Sequence, residues 1–575
     1  MGTDWSLACP QPEQAATLAA ALGVSSITAQ VLIHRGIADP ATAERFLHPR
    51  LSDLHDPFLL PDMERATDRI IRALATNERI TVFGDYDVDG TAATALLLRF
   101  FRAIGHDIEF YIPDRNTEGY GLSVTAVNQL ADLGTTLILT VDNGTTAHVA
   151  LEQARARGVD VIVTDHHEPG EAHSTAAFAV INPKRANSQY PESVLCGAGV
   201  AFKLLTALRA RLRDAPQLMN GPEPNLKQFL DLVAVATIAD IVPLTGENRI
   251  LCRFGFDQLK THAGCGLHAL MRQAGMLPSE VDTYRIAFGL APRLNAAGRL
   301  AHARLAVELL ATEDAARAAT LAAELDRLNA ERQAIEARIL AECEARLAAD
   351  PDLASRPCLV LADAAWPVGV IGIIAGRLAE RYRVPTVLIG LGGDIARGSA
   401  RSIGEFPLLD ALLETRDTLL TCGGHRAAAG LTLRPDQWTA FAKRFAGVAA
   451  RHLLPTHRQR RITIDAQLDA AAITPTLTKE LAQLHPFGPG NPEPLFTLHG
   501  TSVVQRRIVG KNHLRLRLAG AHSPLDAIGF SMGEHSHGNG ASLDVAFHLE
   551  FNTFQGRTSL QLRLRDLRPA GDRGS

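Results

Sequence analysis

The sequence predicts a multidomain α/β protein: two units of alternating strand and helix, then a small all-β barrel. Three observations carry this. The chain has 575 residues, too many for one hydrophobic core, so roughly two to four domains are expected. Short β-branched runs alternate with helix-like stretches from Ile80 onward and again after Pro357, the rhythm of mostly parallel sheets covered by helices. From Arg461 short strand-like runs follow one another with turns between them, as in small barrels.

Residues 1–60 read as a lead-in of short helices, ending in the Pro-rich stretch Asp56–Asp62. The first α/β unit, 61–311, offers strands at Ile80–Gly84, Ile108–Ile112, Thr136–Val141, Val159–Thr164 and Ala177–Ile181. Helices are expected between them at 91–103, 122–133 and 145–157, and a mainly helical region follows from 198. In 312–350, Leu321, Leu325, Leu328, Ile335 and Ile339 form a one-sided stripe; it reads equally as a packed helix or as a connector between domains. The second unit, 351–455, has strands at Cys358–Leu361 and Pro385–Ile389 around a helix at Gly369–Arg381. The barrel, 456–575, is expected from Thr501–Val509, Leu514–Leu518, Val545–Phe551 and Leu560–Leu564. In open parallel sheets, functional groups gather at the C-terminal strand ends, where strand order reverses.

Composition is that of a globular protein, 46% hydrophobic and 21% charged with net charge −4. This excludes a basic coat but allows a local basic groove. The seven cysteines form no C-x-x-C pair, which argues against a zinc ribbon or disulfide framework and for a reducing cytoplasm. Met1–Pro10 does not read as a signal peptide, and no apolar run approaches the roughly 18 residues of a membrane span. The expectation is a cytoplasmic protein with no membrane.

The chemistry concentrates in four segments. Asp85, Asp87 and Asp89 alternate in Gly84-Asp85-Tyr86-Asp87-Val88-Asp89-Gly90, directly after a strand. Asp142 follows the strand Leu139-Thr140-Val141, and Asp165-His166-His167 follows Thr164. Asp240 lies within or ends the apolar helix Ala236-Thr237-Ile238-Ala239. One aspartate after a strand is more often a helix cap than a ligand. Successive strand ends of one sheet that all carry Asp or His call for a cation, because clustered carboxylates repel. Carboxylates with imidazole and no thiolate favour Mn²⁺, with Mg²⁺ able to substitute. The donors exceed what one ion needs, which predicts two divalent metal ions about 3.5–4 Å apart. Asp142, between the other strand ends in sequence, is the natural bridge. Such a pair suits in-line hydrolysis of a phosphodiester.

The segments GDYDVDG, VDNG, TDHH and ATIAD, in this order and spacing, resemble the DHH phosphoesterase superfamily. Over nearly its full length the chain is similar to the branch of bacterial exonucleases that degrade single-stranded DNA from 5′ to 3′. Further matches are Cys196–Lys203, Arg293–Arg299, Gly398–Ser402, Gly423–Gly430 and Pro486–Pro494. The resemblance implies a DHH-type catalytic domain, a DHH-associated (DHHA1) substrate-binding domain and an OB-like barrel. It implies that Asp85, Asp87, Asp89, Asp142, His166 and Asp240 serve the metals, that His167 faces the scissile phosphate, and that Asp142, His166 and His167 are catalytic. Many relatives begin the first motif with His where Phe83 stands here. Asp85 is expected to take over part of that role, which leaves open which metal each aspartate contacts.

Substrate contacts are expected from Arg115 after a strand, and from Arg293 and Arg299 flanking Asn295 in a Gly/Ala-rich turn. Ser399 and Arg401, in a Gly-flanked turn, would form a phosphate pocket. Gly423, Gly424 and His425 resemble the DHHA1 signature. In the barrel, Arg506, Arg507, Lys511, Arg515 and Arg517 occur between Thr501 and Arg517 without an acid, a basic strip suited to a single strand. Tyr86, Tyr120 and Phe487 could stack on bases or pack in the core. The activity implied is a 5′→3′ exonuclease releasing 5′-mononucleotides in DNA recombination and repair, excluding duplex by a narrow passage between the α/β domains. A monomer is expected, with partners including single-stranded DNA with a 5′ end, a single-stranded-DNA-binding protein and a helicase. The alternatives are a small-substrate DHH phosphodiesterase, acting on oligoribonucleotides or cyclic dinucleotides, and a non-catalytic DNA-binding replisome scaffold. The first would usually lack the barrel and the second would lack ligands.

Overall fold

The computed structural model describes residues 3–115, 117–170, 176–535, 538–554 and 556–571. It divides into two compact units, one built mainly from 327–461 and the other from 5–298, 302–326 and 462–575.

The larger unit contains a five-stranded parallel sheet. Strands β1 (Ile80–Phe83), β2 (Glu109–Tyr111), β3 (Leu137–Val141), β4 (Asp160–Thr164) and β5 (Ala179–Ile181) lie in the order β2-β1-β3-β4-β5. Every residue of β1 and β3 is buried, as expected of β-branched strands covered on both faces. The winding reverses between β1 and β3, so the crevice beyond their C-terminal ends is the place for a site. The helix after β1 begins at Val88, three residues earlier than expected, and runs to Ala103. Asp87 is its N-cap and accepts the Gly90 N–H at 3.0 Å. Capping thus turns part of the acidic run into the first turn of a helix.

Two buried cations tie this unit together. Lys203, on helix Gly197–Leu212, places Nζ 2.5 Å from Oε1 of Glu247, on helix Gly246–His262, and both side chains are 1% exposed. Glu247 also accepts the His55 N–H at 2.6 Å and the Tyr190 hydroxyl. Arg249 has no carboxylate partner among the described residues. Its guanidinium donates to the carbonyls of Phe46, Leu484 and Gln483 at 3.0, 2.7 and 2.9 Å. The lead-in helices Pro12–Leu22, Ser26–His34 and Pro40–Leu47 are therefore anchored, and their buried residues share one core with the barrel.

The segment 312–350 forms one helix, Ala315–Ala349. It belongs to the larger unit up to Asp326 and to the smaller one from Arg327, and Leu321, Leu325, Leu328 and Ile339 of its stripe are buried. The smaller unit has strands β6 (Leu359–Asp363), β7 (Thr386–Gly390), β8 (Ala396–Arg401), β9 (Thr421–Gly424) and β10 (Ala428–Leu433), ordered β9-β10-β8-β7-β6. Only the β6–β7 pair is parallel. Gly423 and Gly424 lie on β9. Two expected turns are regular structure: Ser399 and Arg401 lie on strand β8, and Arg293–Arg299 lies within helix Ala291–Leu300. Alanine-rich composition made that last segment a helix, while pairing with β7 and β10 held the glycine-bearing segment of β8 extended.

In the larger unit the barrel comprises β11 (Ala466–Gln467), β12 (Phe496–Val509), β13 (His513–Leu518), β14 (Leu525–Gly529), β15 (Ser542–Phe554) and β16 (Arg557–Pro569). It closes because β15 pairs with both β16 and β12. Strand β14 had no counterpart in the sequence reading, its run Leu525-Asp526-Ala527-Ile528-Gly529 holding a single β-branched residue where strands are usually rich in them.

Removing one partner of a buried ion pair strands the other charge. Lys203→Met should cost about 3–5 kcal/mol, read as a lower urea midpoint, and Lys203→Met/Glu247→Leu should recover most of it. Equal destabilisation of both variants would contradict this account.

Candidate metal centre

The site is assembled at the β1/β3 crevice. The loop after β1 supplies Asp85 and Asp87, and the following helix supplies Asp89 from its first turn. Asp142 follows β3, with φ of +63°, a left-handed conformation that Asp tolerates and that often marks a functional turn. His166 and His167 follow β4, and Asp240 is the C-cap of helix Leu230–Ala239.

Three groups of ligand atoms lie within 4.8 Å of one another: Asp85–Asp87–Asp142, Asp89–His166–Asp240 and Asp142–His166–His167. Asp142 and His166 each belong to two groups, and the His166 Nε2 is 3.1 Å from the Asp142 Oδ1. The same nitrogen is 3.7 Å from Asp89 and 3.7 Å from Asp240. The Asp85–Asp87–Asp142 and Asp89–His166–Asp240 groups share no residue, and the third group links them through Asp142 and His166. Close approach is built in at Gly197, where a Cβ would lie 2.7 Å from that of Asp142. The Gly197 and Ala198 N–H groups, at the start of their helix, donate to Asp89 at 2.6 and 2.7 Å.

The electrostatics favour a cation. Burial, then mutual repulsion, pushes the Asp85, Asp89 and Asp142 carboxyls well above the usual carboxylate range. Asp240 is raised to about 7 by burial and by Asp87. Burial, with the charge of His167, lowers His166 to about 4, so its imidazole is neutral and able to ligate near neutral pH. Asp85 Oδ1 and Asp142 Oδ1 are buried without a hydrogen-bond partner. Orphaned carboxylate oxygens among hard O and N donors fit divalent cations of the Mn²⁺ or Mg²⁺ type.

Sequence reasoning passed over Asp165. Its Oδ1 accepts the N–H groups of His166 and His167 at 2.7 and 3.1 Å and lies 2.8 Å from the His167 Nδ1, while its Oδ2 accepts the Thr145 N–H at 3.0 Å. Burial alone would raise this carboxyl, but the hydrogen bond and charge of His167 hold it below its ordinary value. His167 is raised in turn, Asp165 outweighing burial. The position of Asp165 between Thr164 and the histidines was its only signal. Tyr120, which sequence left between stacking and core, is 53% exposed. Its hydroxyl donates to the Asp142 carbonyl at 3.1 Å and lies 3.3 Å from the His167 ring nitrogens. Tyr86 has the Arg115 guanidinium 4.9 Å from its ring centroid and Tyr120 at 6.3 Å. Phe487 packs on the barrel core.

The remaining expected substrate residues lie elsewhere. Arg293 is held by Asp326 at 2.8 Å and by the Gly289 carbonyl at 2.6 Å. Asn295 is half-buried one helical turn before Arg299, which donates to the Gly369 carbonyl at 2.6 Å. In the smaller unit, Arg401 donates to the Ser399 hydroxyl at 2.9 Å, and a Cβ at Gly372 would lie 2.7 Å from both side chains, so glycine makes room for the pair. Gly423, Gly424 and His425 are exposed at a hairpin. On the barrel, Arg507 and Arg515 stand directly opposite each other in the β12–β13 register and are exposed. Two readings of the strip need correction. Arg506 is turned into its loop by the carbonyls of Gly533 and His535, and strand β14 brings Asp526 within 3.8 Å of Arg515 and Arg517. An acid absent from the linear window is supplied by pairing. Lys511 sits exposed at the connecting turn.

Three family descriptions match in order: the DHH family N-terminal domain over 79–237, the DHHA1 domain over 355–450 and the RecJ OB domain over 464–566. The chain is 38% identical over 529 residues to the single-stranded-DNA-specific exonuclease RecJ of Escherichia coli, covering 89% of this chain and 91% of that protein. It is 36% identical over 565 residues to RecJ of Thermus thermophilus, covering 98% and 78%. A crystal structure of the Thermus thermophilus RecJ in complex with Mn²⁺ superimposes with a TM-score of 0.84 at 34% identity, covering 98% of this chain and 79% of that one. Its complex with Mg²⁺ gives 0.77 at 33%, covering 98% and 78%. With all three regions present in order and the acidic cluster at the sheet's switch point, the chain belongs to the RecJ family of DHH phosphoesterases.

Proposed function

We infer that this protein is a metal-dependent exodeoxyribonuclease that hydrolyses single-stranded DNA from its 5′ end to 5′-mononucleotides. The observation that carries the reading is the set of neighbouring carboxylate and imidazole groups linked by Asp142 and His166. Asp85, Asp87 and Asp142 would hold one divalent ion and Asp89, His166 and Asp240 the other, with Asp142 between them. When bound, such a pair supplies charge neutralisation on the phosphodiester and a water acidic enough to attack near neutral pH.

The remaining chemistry belongs to the chain. Asp165 fixes His167 through Nδ1, which leaves Nε2 to meet the scissile phosphate with a proton that the raised basicity retains. The Tyr120 hydroxyl, whose one proton goes to the Asp142 carbonyl, lies 3.3 Å from the His167 ring nitrogens and would help to position that ring. Arg115 on Tyr86 would bind phosphate. Ser399 with Arg401, and the hairpin carrying Gly423, Gly424 and His425, would contact the strand through the DHHA1 region, and Arg507, Lys511 and Arg515 through the barrel. The alternative of a small-substrate phosphodiesterase is not favoured, because the chain carries the RecJ OB region as well. The reading extends to a helicase and a single-stranded-DNA-binding protein as partners, to a monomer and to a cytoplasmic location. Among the described residues no single helix is long and apolar enough to cross a membrane.

Three outcomes follow. Asp142→Ala should lower mononucleotide release from 5′-phosphorylated single-stranded DNA by at least about 10³-fold, and retention of most of the activity would refute the bridging role. The Asp240 carboxyl, at about 7 in the folded protein, titrates near about 3.9 when unfolded. The folded state therefore binds the extra proton, and metal-free stability falls as pH rises from about 4 through about 7. Saturating Mn²⁺ should remove that decline, so the Tm gain should be larger at about pH 8 than at about pH 5.5; an equal gain at both would contradict it. Arg507→Ala should weaken long-strand binding and reduce the slope of log K against log salt by about one. An unchanged slope would remove the barrel strip from the interface.

A further inference from the structure

Residues 195–198, at the start of helix Gly197–Leu212, form a frame for most of the metal centre. The His166 ring donates to the Leu195 carbonyl, while its Nε2 faces Asp89, Asp142 and Asp240. The N–H groups of Gly197 and Ala198 hold the two oxygens of Asp89 at 2.6 and 2.7 Å. Gly197 also sets the close approach of Asp142. Asp89, Asp142 and His166 are thus all fixed from one short stretch of chain.

Asp240 is the exception. It is the C-cap of helix Leu230–Ala239, and its carboxylate accepts no hydrogen bond among the described residues. Directly after it the chain turns away at Ile241, with φ of +59°. The position of Asp240 therefore depends on how its helix is held, and Thr237, one turn earlier, holds it. Thr237 is buried, and its hydroxyl donates to the Val233 carbonyl at 2.7 Å, leaving the oxygen's lone pairs to accept. The buried Cys196 thiol lies 3.4 Å from that oxygen. Cys196 is the N-cap of the frame's own helix, its sulfur accepting the Gly199 N–H at 3.3 Å. Cys252, on helix Gly246–His262, reaches the same hydroxyl from a third helix. Burial pushes both thiols up, Cys252 to about 12, so each keeps a proton to donate. One hydroxyl thus joins the helix that presents Asp240 to the frame that holds the other ligands.

We propose that Thr237 is a positioning residue of the reaction: clamped by the Cys196 thiol, its hydroxyl fixes Asp240 relative to the 195–198 frame and so sets how tightly the Asp89–His166–Asp240 group holds its metal ion. The proposal rests on the reading of Asp240 as a ligand. Groups that support metal ligands tune affinity through orientation. Loss of the clamp leaves Asp89 and His166 on their frame and frees Asp240 alone. One site then weakens, while the Asp85–Asp87–Asp142 group keeps its ion. A hydroxyl that served packing alone would lower stability without selecting between the two ions.

The test titrates Mn²⁺ into the full chain and follows the EPR signal of the free ion. Thr237→Val keeps the branched shape and removes the hydroxyl, whereas Thr237→Ser keeps the hydroxyl. Thr237→Val should raise the Kd of one Mn²⁺ site about tenfold or more and leave the other within about twofold, and Thr237→Ser should bind as the parent does. Mononucleotide release by Thr237→Val should recover at saturating Mn²⁺, the change being confined to the Mn²⁺ concentration giving half the maximal rate. Cys196→Ala removes the thiol from the frame side and should weaken the same site, so the outcome does not hang on one variant folding. Both sites within about twofold of the parent in Thr237→Val, or both weakened alike, would overturn the proposal. Failure of the underlying reading looks different: Asp240→Asn would then also leave both Mn²⁺ sites at their parental affinity.

Discussion

Mutual repulsion among buried carboxylates is the constraint around which this protein is organised. Asp85, Asp89 and Asp142 are 1–2% exposed, and such a concentration of negative charge is not tolerated without compensation. The fold supplies some of it through the helix start at Gly197 and Ala198, whose N–H groups hold Asp89. It leaves the rest to cations, as the unpartnered oxygens of Asp85 and Asp142 show. Stability and activity are therefore linked through the same ions. The free energy lost in burying the acids is recovered when metal binds.

The two adjacent histidines illustrate how environment divides labour between identical side chains. His166 is buried among the acids and kept neutral, which suits a ligand. His167 is more exposed and paired with Asp165, which favours its proton. One carboxylate thus sets the ring orientation and the charge of its neighbour, as supporting groups commonly do around metal sites. Tyr120, lying between the Asp142 carbonyl and His167, links the loop after β3 to that ring.

Architecture beyond the centre serves to hold long segments in fixed register with it. The N-terminal helices share a core with the barrel, and Arg249 fastens both to the helical region through three carbonyls. Binding a cation by carbonyls alone leaves it net positive, and burial with the nearby Arg253 and Arg35 lowers Arg249 to about 9. The barrel is consequently part of the same unit as the metal centre, which suits an enzyme whose substrate must be gripped while its end is cut.

Strand ends and the acids they carry are legible in the chain alone, because alternating β-branched runs and clustered Asp and His have few other physical explanations. GDYDVDG, VDNG, TDHH and ATIAD all converge on one crevice. What depends on residues distant in the chain is set by packing. Asp526 reaches Arg515 and Arg517 only through strand pairing, Asp165 acts through hydrogen bonds that no spacing encodes, and Arg293 and Arg506 are claimed by carbonyl oxygens. Local patterning records which groups a segment offers, but packing alone decides which of them remain free to bind.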